Sequence, residues 1–210
     1  MSLSLNEVEA TAKKATRGAG YPWGLAEEAA RATRWLCSQN IDGCAALASL
    51  LGQVDGRMLD LFSPRIADDV WEAESGTLCP VVTGAALSDR AHTLHSQDIQ
   101  LGSVHQPILL VPFAGLCAQQ LDRTVTVAWT GTRATTDGQQ LCLIGSPRNH
   151  AVGVTVGEGG EIGSTQPRCS RAEPDLAALA VLNRFASRTY APATEQSRLM
   201  GAGAGVSDND

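Results

Sequence analysis

The 210-residue chain (22.0 kDa) is 43% apolar but only 4% aromatic, so it can build one sizeable core and must fill it with aliphatic side chains and alanine. Its net charge of −6, with Lys13-Lys14 as the longest basic run, opposes binding to nucleic acid or to an acidic membrane surface. No stretch approaches the roughly 20 apolar residues of a membrane span, and MSLSLNEVEATAKK carries no signal-like apolar run. The expected compartment is therefore cytoplasmic, and no membrane partner is expected.

Six cysteines (Cys37, Cys44, Cys79, Cys117, Cys142 and Cys169) are scattered without a CxxC pair. That pattern fits buried free thiols in a reducing compartment better than a disulfide framework, and it spells no zinc site. Arginine outnumbers lysine fourteen to two, which whole-genome composition explains as readily as a need for bidentate anion contacts.

In chain order, the first helix starts at Ser4: Ser4 and Glu7 form a capping box, Leu3 and Val8 the staple around it, and Leu5, Val8, Ala12 and Ala15 a narrow apolar stripe. Gly18 is expected to end it as a left-handed cap. A second helix opens at Pro22 and runs to about Asn40, with Leu25, Ala29, Ala32 and Leu36 on one face. The alanines of both stripes permit close helix approach, within the chain or across a homodimer. A third helix, capped by Asp42, runs to about Leu51, and a short helical piece covers Met58 to Phe62.

Beyond an acidic stretch (68 to 74), LCPVV (78 to 82) and PILLV (107 to 111) have strand-like character, with AGLCAQQL (114 to 121) as a helix between strands. RTVTVAWTG is the clearest strand, alternating Val125, Val127 and Trp129 with Thr124, Thr126 and Ala128, one face buried. The turn at Asp137-Gly138, QLCLI (140 to 144), a loop over Pro147 to Asn149, and AVGVTV (151 to 156) continue it as an antiparallel meander. A last helix spans about Pro174 to Arg188, with Leu176, Leu179, Leu182 and Phe185 on one face. The predicted class is α+β: an N-terminal helical hairpin, a central largely antiparallel β-sheet and a C-terminal helix. One domain is expected over 1–210, helical in 1–53, sheet-rich in 77–163, with the last helix in 173–190 and a Gly-rich acidic tail in 201–210.

SLNEVEATAKKATRGAGYPWGLAEEAARATRWL at the front and GAGAGVSDND at the end resemble a bacterial family of proteins of unknown function, the domain of unknown function catalogued as number 3726. The resemblance implies a relationship over nearly the whole chain. It implies no established activity and carries over no catalytic residue.

Two constellations carry candidate chemistry. In RGAGYPWG, Arg17, Gly18 and Gly20 precede a helix, where free amides and a guanidinium suit a carboxylate or phosphate; the spacing is not GxGxxG, and a plain helix cap accounts for the same letters. In SDRAHTLHSQDIQLGSVH, eighteen residues hold three of the four histidines. If Ser88 caps a helix there, Asp89, His92 and His95 share a face as an Asp-oriented imidazole site or a pair of metal ligands. The HxxxH spacing of helical zinc pairs is absent, so no metal is assigned, and an exposed polar loop gives the same letters. Cys117 stands as a secondary nucleophile candidate if it lies at a helix N-terminus.

The closing GAGAGVSDND lacks the following helix that a phosphate loop needs. It is expected to dock through Asp208 and Asp210 on a cation or on an arginine face such as Arg184 and Arg188, or else to be only a tail. These features point to a cytoplasmic enzyme or enzyme subunit acting on a small polar metabolite, with no cofactor identifiable. The alternative is a non-catalytic binding or assembly subunit that self-associates through its N-terminal helices.

Overall fold

A computed structural model describes residues 1–67 and 69–190; the tail 201–210 lies outside the described residues. The chain enters on β1 (Leu3–Ser4) and turns into α1 (Leu5–Gly18) at Ser4. Ser4 Oγ accepts the Glu7 N–H at 3.2 Å, and the Glu7 carboxylate accepts the Ser4 N–H at 2.7 Å, completing the predicted capping box. The expected helices follow as α2 (Trp23–Ser38) and α3 (Gly43–Val54), the latter capped by Asp42 Oδ1 on Ala45 N–H at 2.9 Å.

Small residues set how closely these helices approach. Ala12, Ala15 and Ala29 are fully buried and Ala32 nearly so, because α1 packs on both α2 and the last helix, α6 (Leu176–Ser187). The chain's own packing thus covers the four alanines proposed for contact with a second copy. Gly18 is not the left-handed cap: it closes α1 with ordinary backbone, and Gly20 takes φ +99° instead. Its lack of a side chain serves a close approach, since a Cβ there would fall 1.9 Å from the Phe185 carbonyl oxygen of α6. Arg188 adds a two-pronged pair with Asp55 (2.5 and 2.9 Å) that ties the end of α6 to the end of α3. Leu179, Leu182 and Phe185 of α6 are buried as expected, whereas Leu176 is 63% exposed.

The main sheet contains β2 (Val70–Trp71), β3 (Ile99–His105), β4 (Val125–Trp129), β5 (Thr132–Thr136), β6 (Leu141–Ile144) and β7 (His150–Glu158). Their order is β2-β3-β7-β4-β5-β6, with β2–β3 parallel and the other pairings antiparallel. The class is α+β, as predicted. The meander holds for β4 to β6, but β7 crosses back to fill the gap between β3 and β4. β5, TRATT, has too little apolar character to stand out in sequence, yet four of its five residues are buried. A separate two-stranded pair joins β1 to β8 (Arg171–Ala172).

Both short apolar runs differ from expectation. Of LCPVV, only Leu78 touches the sheet, through a bridge to Val104, and Pro80 opens α4 (Pro80–Asp89). PILLV forms a 3-10 turn over Pro107–Leu110 that runs into α5 (Val111–Leu121). In each case a proline, whose missing N–H costs nothing in a first helical turn, converts an apolar run into a helix start. Ser88 lies in the last turn of α4, donating to the Gly84 carbonyl, and does not begin a helix. Cys117 lies inside α5, fully buried, and burial pushes its thiol up to about 11, against a nucleophilic role.

Gly18→Ala should force α1 and α6 apart and cost about 1–3 kcal/mol. Gly52→Ala, in α3 with nothing within 4 Å of the added methyl, should instead stabilise by about 0.5–1 kcal/mol. Urea unfolding of both variants checks this; a Gly18→Ala protein as stable as wild type would contradict the packing described.

Candidate functional site

Side chains with reactive chemistry meet at one end of the β3–β7 ladder. Ile99 and Leu101 pair with Val156 and Val154 and are buried, but two residues on, the burial pattern shifts phase: Val104 and Ala151 are buried, while Val152 opposite Ser103 is 68% exposed. The register is the same on both sides of this change, although Gly102 and Gly153 between them are not paired. It occurs where Gly102 and Gly153 fall opposite each other, Gly153 with φ +69°. Ser103, His105 and His150 are thereby left on the accessible side, beside the cross-strand pair His105–His150.

Ser103 Oγ lies 2.6 Å from His150 Nε2, a hydroxyl–imidazole hydrogen bond whose direction follows the tautomer. The His105 and His150 rings meet edge to face, with centroids 5.8 Å apart. On the other side, the Phe62 ring is 6.3 Å from that of His105 and carries the Arg57 guanidinium over its face at 4.4 Å. Burial, then the neighbouring His150, then Arg57 hold the His105 imidazole below its ordinary range, so it stays neutral at a pH where a free imidazole begins to charge.

The backbone fixes this group from both ends. Gly56, at φ +70°, turns the chain out of α3 and presents Arg57. Gln106 takes a left-handed conformation uncommon for its type (φ +45°), donates its N–H to the Asn149 carbonyl at 2.7 Å and its side-chain amide to Ser49 Oγ at 2.7 Å. The end of β3 is thus locked to α3 and to the residue before His150.

The residues singled out in sequence are dispersed. Asp89 ends α4, exposed, and His92 and His95 lie on a 3-10 turn (Ala91–His95), both exposed. His95 Nδ1 contacts Glu158 Oε2 at 2.5 Å, an imidazole–carboxylate pair with the carboxylate supplied by β7. No side-chain hydrogen bond joins Asp89 or His92 to it among the described residues. Arg17 donates to the Tyr21 carbonyl at 2.7 Å and stacks 5.2 Å from the Trp23 ring, so its guanidinium is engaged within its own turn. Gly18 faces α6, and Gly20 makes the turn. Among the described residues no group of three or more His, Cys, Asp and Glu side chains is arranged to hold a metal ion, and no helix is long and apolar enough to cross a membrane.

Residues 3–79 match the family described as "Protein of unknown function (DUF3726)". The match spans the front segment that carries the resemblance and reaches β2, but ends before β3 to β7 and the tail. No curated protein matches the chain. Among solved structures, a malate dehydrogenase from Entamoeba histolytica is similar over 76% of this chain at 12% identity with a TM-score of 0.44, and the match spans 49% of that protein's length.

His105 should take up its proton below the ~6.5 of an unperturbed imidazole. The unfolded chain then binds the proton first as pH falls, so His105 contributes a loss of stability that sets in through the ordinary histidine range and levels off below its native value. NMR titration of the imidazole resonances checks this, with His150→Gln expected to move His105 back toward the ordinary value. A His105 titrating at or above ~6.5 in wild type would contradict the arrangement.

Proposed function

We propose that the chain is an enzyme or enzyme subunit acting by acid–base chemistry on a small, anionic polar metabolite, with Ser103, His105 and His150 as the acid–base group and Arg57 as the anion contact. The observation that carries this reading is the 2.6 Å contact of Ser103 Oγ with His150 Nε2 beside the neutral His105 ring. A neutral imidazole accepts a proton near neutral pH, and a hydroxyl bonded to an imidazole nitrogen can pass or receive one. Arg57 adds a permanent positive charge at the same spot, which favours a carboxylate or phosphate over a neutral ligand.

A second placement keeps part of the sequence-derived set. His95, oriented by Glu158 with Arg123 4.0 Å from the same carboxylate, is an imidazole–carboxylate pair of the kind that tunes a general base. His92 and Asp89 add no hydrogen bond to it. The reading as a self-associating assembly subunit would need a surface other than the four alanines, which the chain's own helices cover. A cytoplasmic setting belongs to this proposal as well.

Histidine NMR distinguishes the placements. Titrating a small dicarboxylate and inorganic phosphate should shift the His105 and His150 signals, leave His92 and His95 in place, and lose its effect at least tenfold in Arg57→Gln. Shifts confined to His92 and His95 would move the site to the Glu158 pair, and no shift at any histidine would count against an anionic substrate.

A further inference from the structure

Thr126, Thr135 and Cys142 form a cross-strand row through β4, β5 and β6 on the face of the sheet opposite Val125, Val127 and Ala134, where side chains ordinarily meet water. All three are nonetheless buried, because the segment 159–166 that leaves β7 lies over them. Gly159 (φ +97°) and Gly160 (φ +109°) turn the chain onto this face, and a Cβ on Gly160 would strike the Thr126 hydroxyl. The segment is tied at both ends. Thr124 Oγ1 donates to the Gly160 carbonyl at 2.8 Å and Thr126 Oγ1 to that of Gly159 at 2.7 Å. At the far end the Gln166 N–H donates to the Leu141 carbonyl at 2.7 Å, on the outer edge of β6.

Between these ties the strap stands off the sheet and leaves a cleft of about 560 Å³. Arg133 of β5 and Glu161 of the strap line it from two sides, and Leu143 and Ile144 of β6 give it an apolar wall. Arg133 and Ile144 are direct cross-strand partners, so the guanidinium and the apolar side chain stand side by side on one face. Ile144 is 62% exposed, an apolar surface left open to the cleft. Arg133 and Glu161 are both exposed, and among the described residues neither enters a salt bridge or a side-chain hydrogen bond. Two opposite charges that face one cleft without pairing are matched by a ligand that carries both signs a short way apart.

We propose that this cleft binds a free aliphatic α-amino acid, with its carboxylate on Arg133, its ammonium on Glu161 and its side chain against Leu143 and Ile144. The guanidinium fork matches a carboxylate with two parallel hydrogen bonds, and the Glu161 carboxylate accepts from an ammonium. The pair also selects by sign: a simple anion is repelled by Glu161, a simple cation by Arg133, and an uncharged apolar molecule leaves both charges unanswered. Covering the exposed Ile144 side chain then favours an aliphatic amino acid over glycine. The cleft shares no residue with the acid–base group at the end of β3, whose Arg57 favours an anion alone.

Calorimetric titration of the whole protein with L-leucine tests this, beside glycine, isocaproate (leucine without its ammonium) and isopentylamine (leucine without its carboxylate). Leucine should bind saturably at a single site per chain, and glycine more weakly. Isocaproate and isopentylamine should each bind about tenfold more weakly or worse, the loss expected when one charged contact goes unmade. Arg133→Gln and Glu161→Gln should each weaken leucine by a similar factor; both side chains are exposed, so the substitutions leave the fold in place. The wild-type comparison of leucine with its two analogues decides even if a variant fails to fold. No saturable leucine binding, or isocaproate bound as well as leucine, would overturn the proposal. So would leucine binding that ignores both substitutions and shifts the His105 and His150 resonances, since the ligand would then sit in the acid–base group.

Discussion

The β3–β7 ladder must bury opposite faces at its two ends without inserting a residue, and the pair Gly102 and Gly153 makes that possible. At one end Ile99, Leu101, Val154 and Val156 enter the core; at the other Val104 and Ala151 do. A regular strand alternates its faces strictly, so a shift in burial phase without a change of register demands local backbone or twist freedom on both strands at once. Gly153 supplies a positive φ, and at Gly102 a Cβ would lie 3.3 Å from Glu72 Cγ. Because the shift takes place there, the residues beyond it that would have faced the core emerge toward solvent, and these are Ser103, His105 and His150. The placement of the reactive side chains is thus a consequence of how the sheet meets the core.

The helical layer answers a different constraint, the scarcity of aromatic side chains. With alanine at the crossing positions, helices fill space by approaching closely, and glycines stand where backbones meet: Gly18 against Phe185 and Gly43 against Thr33. Buried hydroxyls fit this packing because they satisfy themselves within their own helices, Thr16 donating to the Ala12 carbonyl and Thr33 to that of Ala29, each at 2.8 Å. Such an interior tolerates little: an added methyl at a crossing has nowhere to go, whereas the same methyl on an open helix face only removes backbone entropy from the unfolded chain.

Features written in local chemistry were legible in the sequence. The capping box at Ser4 and Glu7, the Asp42 cap and the Val125–Trp129 strand each depend on residues within a few positions of one another. Apolar runs containing a proline were not, because a short run has no period and the proline's first-turn role decides the outcome. The candidate site failed to show for a related reason. Spacing drew Asp89, His92 and His95 onto one helix face, but the shared contact of His105 is with His150, 45 positions away in sequence and opposite it in the ladder. Glu158, the partner of His95, is likewise brought by β7. The loop before AVGVTV was visible; that its histidine would stand beside another required the crossover that puts β7 next to β3.

Helix α3 braces the histidine end of the sheet from the helical layer. Its first turn is capped by Asp42, its middle offers Ser49 to the Gln106 side chain, and just past its end Gly56 turns the chain to present Arg57. Its core face, Leu47, Leu50 and Leu51, is fully buried, and Arg188 clamps Asp55 at its C-terminal boundary. A helix held at both ends and along one side moves as a rod or not at all. At its N-terminal end Gly43 leaves no room to press further into α2, since a Cβ there would fall 2.6 Å from the Thr33 carbonyl oxygen, and Asn40 takes up the tight turn with a positive φ. The same braced helix therefore sets the positions of Ser49 and Arg57, which flank the histidine end of β3.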